Sequence, residues 1–323
     1  MRRRPSTLAV AASAASAGLL IGAAAGQLMN QPADHSRPVT LLVAGPDGVP
    51  QAVVVTPRTK TAGPPAAPGP LAAPAVPETT AKLEAAARKA ISDAQASGAD
   101  VSFTLLDRRT GKQVSTGDQA PFPIASVAKL FIADDLLMQS AQRKAPLSAQ
   151  DQQALEVMLQ SSDDFAADDF WVRGGGNAVV DRVAARYGLT KTTAPYDGNW
   201  WNTMSTTDDL VHYYAKLLDG TGGLPAQAAN LIVSNLAASK PVGVDGYPQR
   251  FGIPDGLFAE PVAVKQGWMC CWNGNNWLHM STGAVGSDRR YVIAIGSMQP
   301  VDDVTARNTI TATVKEIFPG GRI

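Results

Sequence analysis

The stretch that decides the fold is Pro123-Ile124-Ala125-Ser126-Val127-Ala128-Lys129-Leu130-Phe131-Ile132-Ala133. It places a serine and a lysine three residues apart at the start of an apolar segment with helical spacing. Residues i and i+3 lie on one face of a helix, so the amine of Lys129 can reach the hydroxyl of Ser126. A nucleophilic serine needs an adjacent base, and a desolvated lysine can act as one. The alternative is a helix-capping Ser126 with a solvated Lys129.

Two further segments share a pattern with known enzymes and follow in the matching order. The stretch Met158-Leu159-Gln160-Ser161-Ser162-Asp163-Asp164-Phe165-Ala166-Ala167-Asp168 resembles the Ser-Asp-Asn element of class A β-lactamases and penicillin-binding proteins. The stretch Val262-Ala263-Val264-Lys265-Gln266-Gly267-Trp268 resembles their Lys-Thr-Gly strand. Together with the Ser-x-x-Lys element at Ser126, these motifs line one cleft in that superfamily.

The resemblance covers about residues 78–323. The run from Ser126 through Tyr247–Pro254 to Cys270-Cys271 is similar to the actinobacterial alanine-rich envelope lipoproteins called LppW. The resemblance implies an α+β fold in which an antiparallel sheet is flanked by N- and C-terminal helices and carries a helical lobe.

The resemblance also implies chemical roles. Ser126 would be the acylated nucleophile and Lys129 its base or proton relay. Ser162 would pass a proton to the leaving nitrogen, aided by Lys265. The backbone N–H groups of Ser126 and Trp268 would form the oxyanion hole. The residues expected to border the substrate are Asp164, Lys265, Gln266, Gly267 and Trp268.

Three departures from the superfamily pattern weaken the enzyme interpretation. Asp164 stands where the family has Asn, and an ionised Asp can only accept hydrogen bonds and raises the pKa of a nearby Lys129. Gln266 replaces the Thr or Ser that helps to bind a substrate carboxylate, although its amide can still donate from a longer stem. The segment 188–205 contains no Glu to activate a deacylating water, and its one carboxylate, Asp197, is better explained as a turn cap. We therefore expect slow deacylation or none.

The positions of the histidines and cysteines argue against a histidine-based triad and against a zinc site. His35 lies in a linker, His212 on an ordinary helix face and His279 within a strand, which argues against a Ser-His-Asp triad. Cys270 and Cys271 are adjacent, and either a vicinal disulfide or two buried thiols is expected, with a metal or intermolecular role as the remaining alternative. Two thiolates without further ligands make a poor zinc site, so we predict no metal and no cofactor.

The charge distribution describes an exported protein. Residues 1–77 hold six Lys and Arg against two Asp and Glu, and residues 78–323 hold 22 against 26. The mildly acidic body without a basic stripe argues against nucleic acid as a partner. Arg2, Arg3 and Arg4 precede an uncharged, small-residue run, so residues 1–30 are predicted to be a signal peptide or, if uncleaved, an anchor in the membrane. No cysteine lies near this run, so the lipid attachment implied by the resemblance has no site there.

The rest of the chain divides into a linker and a domain. Residues 31–77 are rich in Pro and Ala and are predicted to form an extended spacer, with Val53–Val55 as a stray strand or sticky patch. From residue 78 onward the pattern is globular. The predicted elements are helices over 80–96, 126–137, 147–160, 207–218 and 301–317, and strands over 101–107, 112–116, 262–267, 277–283 and 291–297.

These observations leave three classes of function open. The first is an exported serine hydrolase or acyltransferase of the cell envelope that acts on a peptidoglycan stem peptide or a β-lactam-like small molecule. The second is a catalytically inactive binding protein that keeps the cleft, because Asp164 and Gln266 are the changes that such a loss would leave. The third, a redox protein, is least favoured because the cysteines lack Cys-x-x-Cys spacing. Trp200, Trp201, Trp268, Trp272 and Trp277 could surround the cleft or simply pack.

Overall fold

The computed structural model describes the backbone of residues 39–44, 50–55 and 78–323, with side chains from residue 80 onward. The chain divides into two compact units, one ending at Leu71 and one beginning at Ala72. The predicted signal segment 1–30 and the proline-rich stretch 56–77 lie outside the described residues. Among the described helices, none is long and apolar enough to cross a bilayer.

The first unit contains one described feature, an antiparallel strand pair. Strand β1 (Val39–Ala44) pairs with β2 (Pro50–Val55) in a register that places Val39 opposite Val55. Part of the segment expected to be an extended spacer therefore forms paired strands. The expected strand at Val53–Val55 forms the end of β2.

The second unit is built on a five-stranded antiparallel sheet with the order β4-β3-β9-β8-β7. Its strands are β3 (Asp100–Asp107), β4 (Lys112–Gly117), β7 (Val262–Trp272), β8 (Asn276–Val285) and β9 (Tyr291–Gln299). Two short strands, β5 (Phe122–Pro123) and β6 (Met204–Ser205), pair with each other outside this sheet.

Helices cover both faces of the sheet. On one face, α1 (Glu78–Ala96), the single-turn α8 (Ile253–Gly256) and α9 (Asp303–Ile317) enclose a core that includes Ala87, Phe103, Phe251, Ile295 and Val314. On the other face lies the helical lobe. It consists of α2 (Lys129–Arg143), α3 (Ala149–Gln160), α4 (Asp164–Gly174), α5 (Ala178–Tyr187), α6 (Thr207–Asp219) and α7 (Ala226–Ala237). The arrangement is the α+β architecture predicted from the sequence.

Local sequence explains where the helices of the lobe begin and end. Ser148, Asp163 and Thr206 each accept a backbone hydrogen bond at the start of α3, α4 and α6, as N-cap residues do. Gly188 and Gly220 end α5 and α6 in the left-handed conformation that favours glycine. All elements predicted within residues 78–323 are present. The helices α4, α5 and α7, the single-turn α8 and the short strands β5 and β6 were not predicted.

Candidate active site

Ser126 lies in a short 3₁₀ turn, Ala125–Ala128, that leads directly into α2. The turn is held by a hydrogen bond from the N–H of Ile124 to the carbonyl of Thr203, and Ala125 has a positive φ of 45°. In a 3₁₀ turn, side chains three residues apart are eclipsed. Lys129, the first residue of α2, follows this turn, and its side chain reaches Ser126.

The Lys129 side chain is fully buried and is surrounded by oxygen atoms. Its Nζ lies 2.8 Å from Ser126 Oγ, 2.8 Å from the carbonyl oxygen of Ser162, 3.1 Å from Ser162 Oγ and 2.6 Å from Asp164 Oδ1. An ammonium has three N–H donors for these four oxygens, so its donors are saturated. The structure thus brings Ser126, Lys129, Ser162 and Asp164 together as expected from their motifs.

Ser162 lies in the turn between α3 and α4 with a positive φ of 58°. Its Oγ is within hydrogen-bond distance of two amines, Lys129 Nζ at 3.1 Å and Lys265 Nζ at 2.9 Å. A hydroxyl that accepts from both amines keeps its own O–H free to donate into the cleft. This geometry suits a proton relay.

The two buried lysines have lowered pKa values. Burial lowers the pKa of Lys129, while the charge and hydrogen bond of Asp164 and the charges of Asp163 and Asp245 oppose that effect. Burial and the neighbouring Lys129 charge lower the pKa of Lys265 well below its usual value, again against Asp164 and Asp245. Since two adjacent buried ammonium groups disfavour each other, the site makes a neutral amine accessible as a base.

Strand β7 presents alternate residues to opposite faces of the sheet. Lys265 and Gly267 face the Ser126 turn. A Cβ atom on Gly267 would lie 2.7 Å from the carbonyl oxygen of Ile124 and 3.2 Å from the backbone N of Ser126. Only a glycine therefore allows β7 to pack this closely on the turn that carries Ser126.

The side chain of Gln266 points to the other face of the sheet. Its Nε2 donates to the carbonyl of Phe251 at 2.6 Å and its Oε1 accepts from Ser281 Oγ at 2.9 Å. Both ends of the buried amide are thus engaged behind the sheet. The structure does not bring Gln266 to the Ser126 cluster, which leaves its expected role in substrate binding without geometric support.

Trp268 lies on the same face of β7 as Gln266. Its indole stacks on Tyr247 with ring centroids 4.5 Å apart, and its Nε1 donates to Asp245 Oδ2 at 3.3 Å. The ring is part of this packing. Its expected contribution to the site is its backbone N–H.

Trp200 packs directly on the catalytic lysine candidate. Lys129 Nζ lies 4.6 Å from the centroid of the indole, and Trp200 is only 3% exposed. Its Nε1 donates to Asp168 Oδ1 at 2.7 Å, which fixes the ring. A buried cation over an aromatic face is stabilised by about 2 kcal/mol. Of the other tryptophans, Trp201, at 36% exposure, is more open to solvent than Trp200, and Trp272 and Trp277 are half-buried.

Comparisons with known proteins identify the family and the fold of this chain. No family model matches the sequence. Proteins named "Putative lipoprotein LppW" from Mycobacterium tuberculosis and Mycobacterium bovis are each 59% identical over 242 residues, which cover 75% of this chain and 77% of the relative. The chain belongs to the LppW family.

Solved structures similar to this LppW-family chain include β-lactamases. A β-lactamase from Chitinophaga pinensis has a TM-score of 0.59 at 14% identity, over 72% of this chain and 98% of that chain. The extended-spectrum β-lactamase TLA-3 has a TM-score of 0.61 at 13% identity, over 74% and 98%. A class A β-lactamase from Mycobacterium abscessus has a TM-score of 0.57 at 16% identity, over 72% and 97%. At such identities these matches establish the fold, which is that of the class A β-lactamases.

In this LppW-family chain the loop 188–205 holds its one carboxylate in a turn. Asp197 accepts hydrogen bonds from the N–H of Asn199 at 3.1 Å, from Asn199 Nδ2 at 2.8 Å and from Asn202 Nδ2 at 2.7 Å. Desolvation raises the pKa of Asp197, but the hydrogen bonds together outweigh it and hold the pKa below its usual value. This is the turn-capping geometry expected from the sequence.

Cys270 and Cys271 form a vicinal disulfide at the exposed end of the β7–β8 hairpin. Among the described residues, no group of three or more His, Cys, Asp or Glu side chains converges as a metal site. His279 is buried behind the sheet, where its Nε2 contacts Tyr247 Oη at 2.7 Å and Asp303 Oδ1 at 3.3 Å. The described partners of His279 therefore lie on the face of the sheet opposite to Ser126.

Sequence reasoning missed the loop 239–250. The N–H of Val244 donates to the carbonyl of Ser161 at 2.8 Å, and Gln249 Nε2 donates to the carbonyl of Gln160 at 3.0 Å. The loop thereby holds the Ser162 turn, and the charge of its Asp245 acts on both Lys129 and Lys265. Nothing in the sequence spacing signals these contacts, because both are made to backbone carbonyls of residues about 80 to 90 positions earlier in the chain.

Proposed function

We propose that this LppW-family protein is an exported serine hydrolase or acyltransferase of the cell envelope. Ser126 is its nucleophile and forms an acyl-enzyme with the substrate. The observation that carries the proposal is the 2.8 Å contact between Ser126 Oγ and Lys129 Nζ within the network that includes Ser162 and Lys265. Nucleophile, base and proton relay are within hydrogen-bond reach of one another, as covalent catalysis requires.

In the proposed reaction the neutral amine of Lys129 takes the proton of Ser126 Oγ as that oxygen attacks an acyl carbonyl. The N–H groups of Ser126 and Trp268 stabilise the negative charge on the carbonyl oxygen. Ser162 donates its proton to the leaving nitrogen or oxygen as the acyl bond breaks. Proton transfer from Lys129, directly or with Lys265, restores the Ser162 hydroxyl, so the products are acyl-Ser126 and a protonated leaving group.

The proposed acyl-enzyme is long-lived. The indole of Trp200 covers one side of Lys129 Nζ and excludes water there. Asp197 accepts hydrogen bonds from Asn199 and Asn202 in its own turn. In the described loop 188–205 no Glu stands near the amine to activate a water. General-base catalysis contributes about 10²–10⁴-fold, so its loss makes hydrolysis slow.

The proposed substrates are acyl groups of the peptidoglycan stem-peptide or β-lactam type, in line with the class A β-lactamase fold. The relatives carry a lipoprotein name, which supports an exported, envelope-associated location. Cys270 and Cys271 are paired with each other, and we propose that segment 1–30, if uncleaved, holds the domain at the membrane.

A second function, a catalytically inactive binding protein, is favoured by one observation. Asp164 Oδ1 lies 2.6 Å from Lys129 Nζ and stabilises the protonated amine, which cannot act as a base. The two functions differ in one measurable property, the covalent labelling of Ser126.

The test uses the purified chain, intact-mass spectrometry and two acyl donors, a labelled β-lactam and an uncharged activated ester. The proposal expects one stoichiometric adduct, located on Ser126 and lost in Ser126→Ala. Ser161→Ala is the matched control, because its described hydrogen bonds use backbone groups. Labelling by neither donor, or undiminished labelling of Ser126→Ala, would overturn the proposal and leave the binding function.

A further inference from the structure

Three carboxylates border the Ser126 site. Asp164 contacts Lys129, and Asp163 precedes it as the N-cap of α4, where its Oδ1 accepts from the N–H of Ala166 at 2.6 Å. Asp245 lies between the Ser162 turn and β7, because Val244 is bonded to Ser161 and the Trp268 indole donates to Asp245. Asp164 and Asp245 are exposed on their solvent side.

The two cations of the Ser126 cluster, Lys129 and Lys265, are buried. Lys129 and Lys265 share Ser162 Oγ, and even with both protonated they leave these three carboxylates with a net charge of −1. Burial disfavours the doubly protonated state, which makes the cleft still more negative. The outward side of the cleft therefore carries negative charge, and its positive charge lies inside.

The features that would receive a carboxylate ligand are engaged elsewhere. The amide of Gln266 is bonded to Phe251 and Ser281 on the far face of the sheet. Arg250, in the loop that carries Asp245, is paired with Asp255 at 3.1 Å. Lys240 is exposed at the beginning of this loop and is the cation that a carboxylate-binding alternative would use.

We propose that Asp164 and Asp245 make this cleft select acyl donors that bear a positive charge, such as an amine-containing side chain, over donors that bear a carboxylate. The inference rests on the proposed function, since the ligand site is defined by Ser126 and Lys129. Asp245 is the specificity-determining residue, because its carboxylate is free of any cation in its described hydrogen bonds. The substrate class is then a cationic acyl peptide or ester.

The experiment compares three activated esters of similar length. They are made from 6-aminohexanoic acid, from hexanoic acid and from one carboxyl group of adipic acid, whose other carboxyl group stays free. Rates of Ser126 labelling are followed by intact mass. A unit charge a few ångströms from one partly solvated carboxylate changes the rate by about five- to tenfold. We expect the order ammonium, neutral, carboxylate, with a spread that shrinks at high salt.

Asp245→Asn should narrow the ratio of the ammonium to the carboxylate ester by about fivefold. Asp219→Asn is the matched control, because Asp219 accepts from the N–H of Thr221 two residues on, as Asp245 accepts from the N–H of Tyr247. Asp219→Asn and Lys240→Gln should each leave the ratio of the ammonium to the carboxylate ester unchanged.

A binding arm separates this inference from the proposed function. The three corresponding primary amides, which do not acylate serine, are titrated against tryptophan fluorescence. Tighter binding of the cationic amide without any labelling of Ser126 would refute the proposed function and keep the charge selection. Equal binding and equal labelling by all three charge types, or a carboxylate preference that Lys240→Gln removes, would overturn the inference.

Discussion

Lys129 Nζ lies 2.6 Å from Asp164 Oδ1, which joins a fully buried amine to a side chain that is 66% exposed. The carboxylate opposes the effect of burial on the lysine, so its removal should lower the pKa of Lys129 further. Solvent screens a group this exposed, and the shift should be moderate.

We expect Asp164→Asn to acylate faster than the wild type at neutral pH, by about threefold to tenfold, with an uncharged donor. A larger fraction of Lys129 is then neutral, so the rise of the acylation rate with pH should move to lower pH. The pH profile of intact-mass labelling checks this. Asp169→Asn, on the exposed side of the same helix, should keep the wild-type profile; an unshifted Asp164→Asn profile would contradict the assignment.

Trp200→Ala should shorten the life of the acyl-enzyme by several-fold or more, because it opens space for water beside Lys129. The variant should also lose about 3–5 kcal/mol of stability, as buried tryptophans do when truncated. Decay of the acylated mass after removal of free donor measures the first effect. Trp201→Ala, at the more exposed neighbour, is the control, and an unchanged decay in Trp200→Ala would show that the indole does not exclude the water.

Gly267→Ala should abolish or strongly reduce labelling of Ser126 at a modest cost in stability. Its Cβ would press on the carbonyl of Ile124 and the N–H of Ser126, and such overpacking costs about 1–3 kcal/mol. Chemical denaturation and labelling are compared on the same sample. Full labelling by a folded Gly267→Ala protein would mean that β7 can move away without disturbing the nucleophile.

His279 should make the domain less stable in mild acid. Burial lowers its pKa to about 4, so between its usual value of about 6.5 and pH 4 the unfolded chain binds a proton that the folded chain does not. The contribution of His279 to the free energy of unfolding is therefore fully present above pH 6.5. It falls as the pH drops, by about 2.5 kcal/mol at pH 4.5.

Urea unfolding at pH 7.5 and 4.5 measures this loss. We expect His279→Gln to lose less stability than the wild type between the two pH values, whereas His212→Gln, at an exposed helix position, should behave like the wild type. Equal acid sensitivity of the wild type and His279→Gln would assign the effect to other groups.

The sequence predicted the residues that touch at the centre of the site because their spacing is short-range or marked by motifs. Ser126 and Lys129 are fixed by one turn, and Ser162 and Lys265 by elements that the superfamily shares. Gln266 shows the limit of such reasoning. Adjacent residues in a strand face opposite ways, so strand periodicity alone would have turned Gln266 away from the cleft when Lys265 points into it.

Other features depend on tertiary contacts that no local pattern carries. Asp245 and Trp200 reach the lysines from irregular segments whose path is set by hydrogen bonds such as Val244 to Ser161 and Trp200 to Asp168. Helix α4 begins within the Ser-Asp-x motif, at its N-cap Asp163, so the motif hides its start. Helix α7 buries Ala229, Ile232, Val233 and Leu236 at helical spacing, a pattern that the sequence does carry. The pairing of Cys270 and Cys271 was one of several alternatives compatible with the sequence.

Ala125 and Ser162 both hold a left-handed backbone conformation beside the reactive oxygen. For residues with a Cβ this conformation costs about 1–2 kcal/mol, and it persists because the surrounding contacts impose it. A glycine at either position would relieve that cost and also widen the range of conformations open to the turn. A gain in thermal stability from such a glycine would thus come with a less fixed position of the nucleophile or the relay, so thermal stability is a poor guide to improved variants of this site.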